Sequence, residues 1–83
     1  MKPGKRRLFL SPHFVDRWHE RINGGSDFKE SEGTMRRVLH AALLEKVARS
    51  VRGHYFAVEI RGKLAVFSVD RNGFYAFTTV LER

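Results

Sequence analysis

The chain has 83 residues, no cysteine, and 16 Lys/Arg against nine Asp/Glu, for a formal charge of +7 at pH 7. That length supports one small hydrophobic core, and without thiols neither disulfides nor thiolate-held metal can reinforce it, so seven Phe, two Tyr, one Trp and the aliphatics must carry the fold. No apolar stretch approaches the ~18 residues that span a bilayer and Met1 to Arg7 lacks the apolar segment of a secretory signal, so a soluble, cytoplasmic protein with no membrane partner is expected, and its positive field points to polyanions.

Four of the first seven residues are basic (Lys2, Lys5, Arg6 and Arg7), with Pro3-Gly4 among them. Residues 1–6 therefore read as a basic flexible arm that can lie along a phosphate backbone, or more plainly as a solubilising tail. Arg7 to Leu10 is a short apolar run, a first strand or an extended lead-in. Ser11 reads as an N-cap with Pro12 at the first helical position, and Asn23-Gly24-Gly25 ends the helix just after Ile22. At 100° per residue, Phe14, Val15, Trp18 and Ile22 form its apolar arc, and Asp16 and Glu20 face water. His13, Arg17 and Arg21, at i, i+4 and i+8, line one border of that arc. An imidazole and two guanidiniums on one stripe suit a phosphate, although basic residues also flank helix cores for packing alone.

Asp27 to Gly33 is polar and loop-like, and either Ser26 or Ser31 can cap the next helix. Met35, Val38, Leu39, Ala42, Leu43 and Val47 recur at helical spacing, with Arg36, Arg37, Glu45 and Lys46 off the apolar face. This is a core helix; His40 adjoins the apolar positions and reads as structural, and Glu45 and Arg49 form an i, i+4 pair. Beyond His54 the period changes to two, in the runs His54 to Arg61, Leu64 to Asp70 and Phe74 to Leu81. Glycine-bearing breaks at Gly62-Lys63 and Arg71-Asn72-Gly73 make an antiparallel meander. A two-residue loop followed by a three-residue loop gathers Phe56, Val58, Ile60, Ala65, Phe67, Val69, Tyr75, Phe77, Thr79 and Leu81 on the face the helices must cover. The expected fold is one α+β domain over residues 1–83, with two N-terminal helices packed on one face of a three- to four-stranded antiparallel sheet, in the order β-α-α-β-β-β.

Chemistry-bearing patterns are few. No metal-ligand spacing, serine-nucleophile motif or phosphate-cradling glycine loop is present, and no cofactor is expected. Metal-free acid/base chemistry on a phosphodiester needs a proton acceptor, a proton donor and cations for the developing charge. His13 can take the first or second role and Arg17 and Arg21 the third, with Thr79, Tyr75 or His54 from the sheet as the partner. Thr79, on the helix-facing side, is the best placed of these in the expected register. Lys2, Lys5, Arg6, Arg7, Arg36 and Arg37 are the expected nucleic-acid contacts.

The segment Ser11-Pro12-His13-Phe14-Val15-Asp16-Arg17-Trp18-His19-Glu20-Arg21 resembles the Ser/Thr-x-His-Ala-x-x-Arg-x-x-x-Arg helix of a small family of uncharacterised domains. Phe77-Thr78-Thr79-Val80-Leu81 falls where that family has its terminal strand. Those domains look like members of the barnase, EndoU, colicin and RelE group of metal-independent ribonucleases, many of them toxins. The resemblance implies active-site roles for His13, Arg17, Arg21 and Thr79, RNA as substrate, and an antitoxin as protein partner. Two readings stand: a toxin-like ribonuclease cleaving RNA without metal, or a non-catalytic basic module that holds RNA or DNA. In a variant of the second, the module is a phage or mobile-element inhibitor of an acidic protein.

Overall fold

A computed structural model describes residues 7–82, so the basic arm expected over residues 1–6, with Lys2, Lys5 and Arg6, lies outside the described residues. Strand β1 (Arg7–Leu10) sends Leu8 and Leu10 into the core and leaves Arg7 and Phe9 exposed. Ser11 is extended, and its hydroxyl accepts from the Phe14 amide at 3.0 Å, opening α1 (Pro12–Arg17) with Pro12 where a missing N–H costs nothing. The helix continues as a π-helical turn, Trp18–Ile22, closed by the Asn23 amide on the Trp18 carbonyl at 3.0 Å. Helix α2 (Glu32–Glu45) is capped by Ser31, whose hydroxyl accepts from the Thr34 amide at 3.1 Å.

Lys46 is already extended. Val47 therefore leaves the apolar arc to which its spacing assigned it and is exposed. Arg49 opens β2 (Arg49–Arg52), so the expected helical pair of Glu45 with Arg49 does not exist. The chain then forms β3 (Tyr55–Ile60), β4 (Lys63–Val69) and β5 (Phe74–Leu81).

The fold is α+β, and two features depart from the expected sheet. It has five strands in the order β1-β5-β4-β3-β2, and it is mixed, because β1 runs parallel to β5 while the other pairs are antiparallel. The element order is thus β-α-α-β-β-β-β. Strand β2 has no buried residue, so it carries no alternation from which a strand could be read. The direction of β1 is a long-range pairing that local periodicity does not encode.

Both helices pack on one face of the sheet. Phe14, Trp18, Met35 and Leu39 meet Val58, Phe67, Phe77 and Val80 in a single core. Its rings run from Trp18 through Phe14 to Phe77 and Phe67, with centroids 5.9, 5.3 and 5.0 Å apart.

Register places every remaining side chain. Ile60 pairs with Lys63, so the β3–β4 loop is Arg61-Gly62, with φ of +50° and +85°, and not Gly62-Lys63. Two positive φ values make the tight turn whose twist suits a hairpin. This pairing differs from the expected one by two residues, which preserves the inward set Phe56, Val58, Ile60, Ala65 and Phe67. The loop Arg71-Asn72-Gly73 follows expectation, with Gly73 at φ +83° and Val69 opposite Tyr75. Then the ladder skips: Phe67 pairs with Phe77 but Val66 pairs with Thr79, leaving Thr78 as an extra, bulged residue. Beyond the bulge Val80, opposite Ala65, enters the core, whereas Thr79 and Leu81 turn to the other face. The expected helix-facing position of Thr79 is therefore corrected.

That other face is not covered by a helix among the described residues. One rung crosses all five strands on it, Phe9–Ala76–Ser68–Tyr55–Arg52. No helix among the described residues is long and apolar enough to cross a membrane.

Candidate functional site

The stripe on helix one does not stay together. His13, in the first turn of α1, is exposed, and its side chain makes no hydrogen bond among the described residues. Arg17, one turn on, donates from Nη1 to both carboxylate oxygens of Glu20 at 2.8 Å. The switch to i→i+5 winding at Trp18 then turns Arg21 off the line of His13 and Arg17. Its Nη1 instead donates to the Val80 carbonyl of β5 at 2.5 Å, so its guanidinium is a strut between helix and sheet.

Of the four expected catalytic residues, the structure brings His13 and Arg17 to one open depression, also bordered by Asp16, His19, Glu20 and Lys29. Arg21 lies against β5, and Thr79 is on the opposite sheet face. The alternative partners do not replace Thr79. The Tyr75 ring stacks on Phe67 at 5.4 Å in the core layer, and His54 sits in the β2–β3 turn with its ring 4.5 Å from that of Tyr55. His19 borders the depression unforeseen, since six residues from His13 is off a helical stripe. Its Nε2 lies 3.2 Å from the Glu30 carbonyl, which fixes the ring.

The electrostatics of the depression are balanced. Asp16 and Glu20 offset Arg17 and Lys29, so it is a weak sink for an anion. Glu30, just behind it, is structural: its carboxylate accepts from Arg61, Asn23 and the Trp18 indole. Chiefly through the Arg61 hydrogen bonds, against the opposing effect of burial, its carboxyl is held down at about 2, and the Arg61 guanidinium is raised in return.

The expected nucleic-acid contacts also divide. Arg36 donates to the Leu8 carbonyl and stands 3.9 Å from Glu32, so it ties α2 to β1. Arg37 is exposed and donates to the Thr34 hydroxyl at 3.2 Å. Arg7 opens β1 with its guanidinium 5.4 Å from the centroid of the Phe74 ring. Arg49, expected as a helical partner of Glu45, and Arg52, which the sequence reading does not single out, lie on β2 and make no ion pair among the described residues. Across the five strands, Arg7, Arg49 and Arg52 make no ion pair among the described residues, whereas Lys63 is held by Glu82 at 2.6 Å, and the helices carry Asp16, Glu20, Glu32 and Glu45 beside Arg17, Arg21, Arg36 and Arg37.

Among the described residues, no group of three His, Cys, Asp or Glu is placed to hold a metal ion. No protein-family model matches the chain, and no match is found among curated proteins or solved structures.

Proposed function

We propose that the protein is a basic nucleic-acid-binding module, with RNA as its first partner, that performs no reaction of its own. The observation that carries this reading is that Arg7, Arg49 and Arg52, on the two edge strands of a chain of formal charge +7, make no ion pair among the described residues. Catalysis is less well supported. A general base needs a partner that orients it, His13 has none among the described residues, and the guanidinium beside it is spent on Glu20. Short RNA titrated with the full chain should bind at low salt, and the affinity should fall steeply as salt rises. RNA incubated with the protein in EDTA should stay intact. Absence of binding at low salt would discard the reading.

A second reading, the toxin-like ribonuclease, is favoured by one observation: two imidazoles, His13 and His19, border the same depression as Arg17 and Lys29. Cleavage that survives EDTA and disappears in His13→Ala would establish it in place of the first.

A further inference from the structure

We infer that single-stranded nucleic acid docks on the uncovered face of the sheet, its bases stacked on Phe9, Phe74 and Tyr55 and its phosphates met by Arg7, Arg49 and Arg52. The inference rests on the nucleic-acid-binding reading and adds to it the strand state of the ligand and the surface that takes it.

Three features of the face combine. The first is exposed aromatic area: Phe9, Phe74 and Tyr55 are 55, 38 and 37% exposed, although large rings normally find cover in a chain this small. Phe9 and Tyr55 stand at the two sides of one rung, with Ala76 and Ser68 between them. Three strand spacings separate the rings, about 14 Å. In the adjacent rung Val66 and Ala57, between Thr79 and Arg49, are buried by their neighbours, so the open floor is Ala76 and Ser68. The result is a broad shallow trough with rings at its margins. His54 extends the Tyr55 side, its ring tilted 31° to that of Tyr55.

The second is charge. Arg49, opposite Ala57, and Arg52, opposite Tyr55, lie on the edge strand β2, and Arg7, opposite Phe74, lies on the other edge strand β1. Both edges of the trough are thus cationic. Glu59 is the acid that the strands contribute to this face.

The third is the pairing of the two. Arg7 holds its guanidinium over one face of the Phe74 ring, 5.4 Å from the centroid, so a base that stacks there takes the ring's other face or displaces the guanidinium toward its own phosphate. A duplex cannot use the rings, because its bases are already stacked and paired. A second copy of this chain is a poor occupant, since face-to-face docking would set Arg7, Arg49 and Arg52 of one copy against the same cations of the other.

The test uses the full chain and a fluorescein-labelled oligouridine of about 12 nucleotides, with a duplex of equal length as comparison. Anisotropy should report tighter binding of the single strand. Phe9→Ala with Phe74→Ala should weaken single-strand binding about tenfold or more and leave duplex binding little changed, whereas Phe9→Tyr with Phe74→Tyr should keep most of the parent's affinity. Arg49→Ala and Arg52→Ala should each reduce the logarithmic salt slope by about 0.7. All of these positions are on the surface, and emission from Trp18, buried on the opposite side of the sheet, verifies folding in every variant. Equal affinity for both strand states, with the aromatic variants binding like the parent, would overturn the docking surface and leave the binding reading standing. Failure of every oligonucleotide to bind at low salt would remove the reading itself. Concentration-dependent self-association that Phe9→Ala abolishes, without effect on oligouridine, would reassign the face to a homotypic contact and overturn the inference.

Discussion

Arg61 and Glu30, 31 residues apart, meet at two points: Nη1 to Oε1 at 2.8 Å and Nη2 to Oε2 at 3.0 Å. Arg61 occupies the first of the two left-handed positions of the β3–β4 turn, and Glu30 precedes the cap of α2. The same carboxylate accepts the Trp18 indole at 2.8 Å and the Asn23 amide at 3.0 Å. One side chain, 8% exposed, thereby holds the π-helical turn, the loop after it and a hairpin turn in a fixed relation. The fork geometry of a guanidinium on a carboxylate gives orientation as well as energy.

This cluster predicts a defined loss of stability in acid. The Glu30 carboxyl titrates at about 2 in the folded chain, below the ordinary 4.5. Its stabilisation is therefore complete above pH 4.5 and disappears as the pH falls from there toward 2. The shift converts to about 3 kcal/mol, and solvent around the half-exposed Arg61 reduces this to about 2 kcal/mol. Urea unfolding of Glu30→Gln should show that loss at pH 7 and a much smaller difference from the parent near pH 2.

The bulge at Thr78 predicts opposite outcomes for two neighbouring residues. Val80 is fully buried and Thr79 is not. Val80→Thr puts a hydroxyl among apolar side chains and should cost about 1–3 kcal/mol, measured as a lower urea midpoint. Thr79→Val should stay within about 0.5 kcal/mol of the parent. In an unbroken ladder the two results would be exchanged, so the pair tests the bulge directly.

That bulge also marks where the sequence stops being legible. Both helices, the Ser11 and Ser31 caps, the inward set from Phe56 to Phe67 and the loop ending at Gly73 follow from periodicity and turn chemistry. Each is a local property. Thr78 looks like any strand threonine, and one unpaired residue is enough to exchange the faces of Thr79 and Val80. The π-helical turn acts likewise on helix one, taking Arg21 off the stripe of His13 and Arg17 without any sequence mark. The four residues expected to converge therefore divide, with His13 and Arg17 at one depression, Arg21 against β5 and Thr79 on the opposite sheet face. With no buried face to mark β2, the sequence assigns Arg49 to helix two and gives Arg52 no element, and Phe9 gains its place only from the pairing of β1 with β5.

Ser11 joins the start of helix one to the bulged strand. Its hydroxyl accepts from the Phe14 amide at 3.0 Å and donates to the Thr78 carbonyl at 3.3 Å, while its own amide donates to Phe77 at 3.2 Å. Ser11→Ala removes the cap and the tether together and should cost about 1–2 kcal/mol in urea unfolding. Ser11→Thr keeps the hydroxyl and should recover most of that.

Asp70 links turn stability to the proposed interface. One carboxylate oxygen accepts from the Asn72 amide at 2.8 Å and from the Phe74 amide at 3.0 Å, which fixes the backbone that carries the Phe74 ring. Removing Asp70 has two effects of opposite sign on single-strand binding. Loss of a negative charge near the face favours a polyanion, and loosening of Phe74 disfavours stacking. Asp70→Asn loses the charge but keeps a side-chain oxygen to accept both amides, whereas Asp70→Ala loses both. Oligouridine should therefore bind Asp70→Asn at least as tightly as the parent at low salt, and Asp70→Ala a few-fold more weakly than Asp70→Asn. Because salt screens the charge term and leaves stacking largely intact, the gap between the two variants should persist at high salt while the gain of Asp70→Asn over the parent disappears.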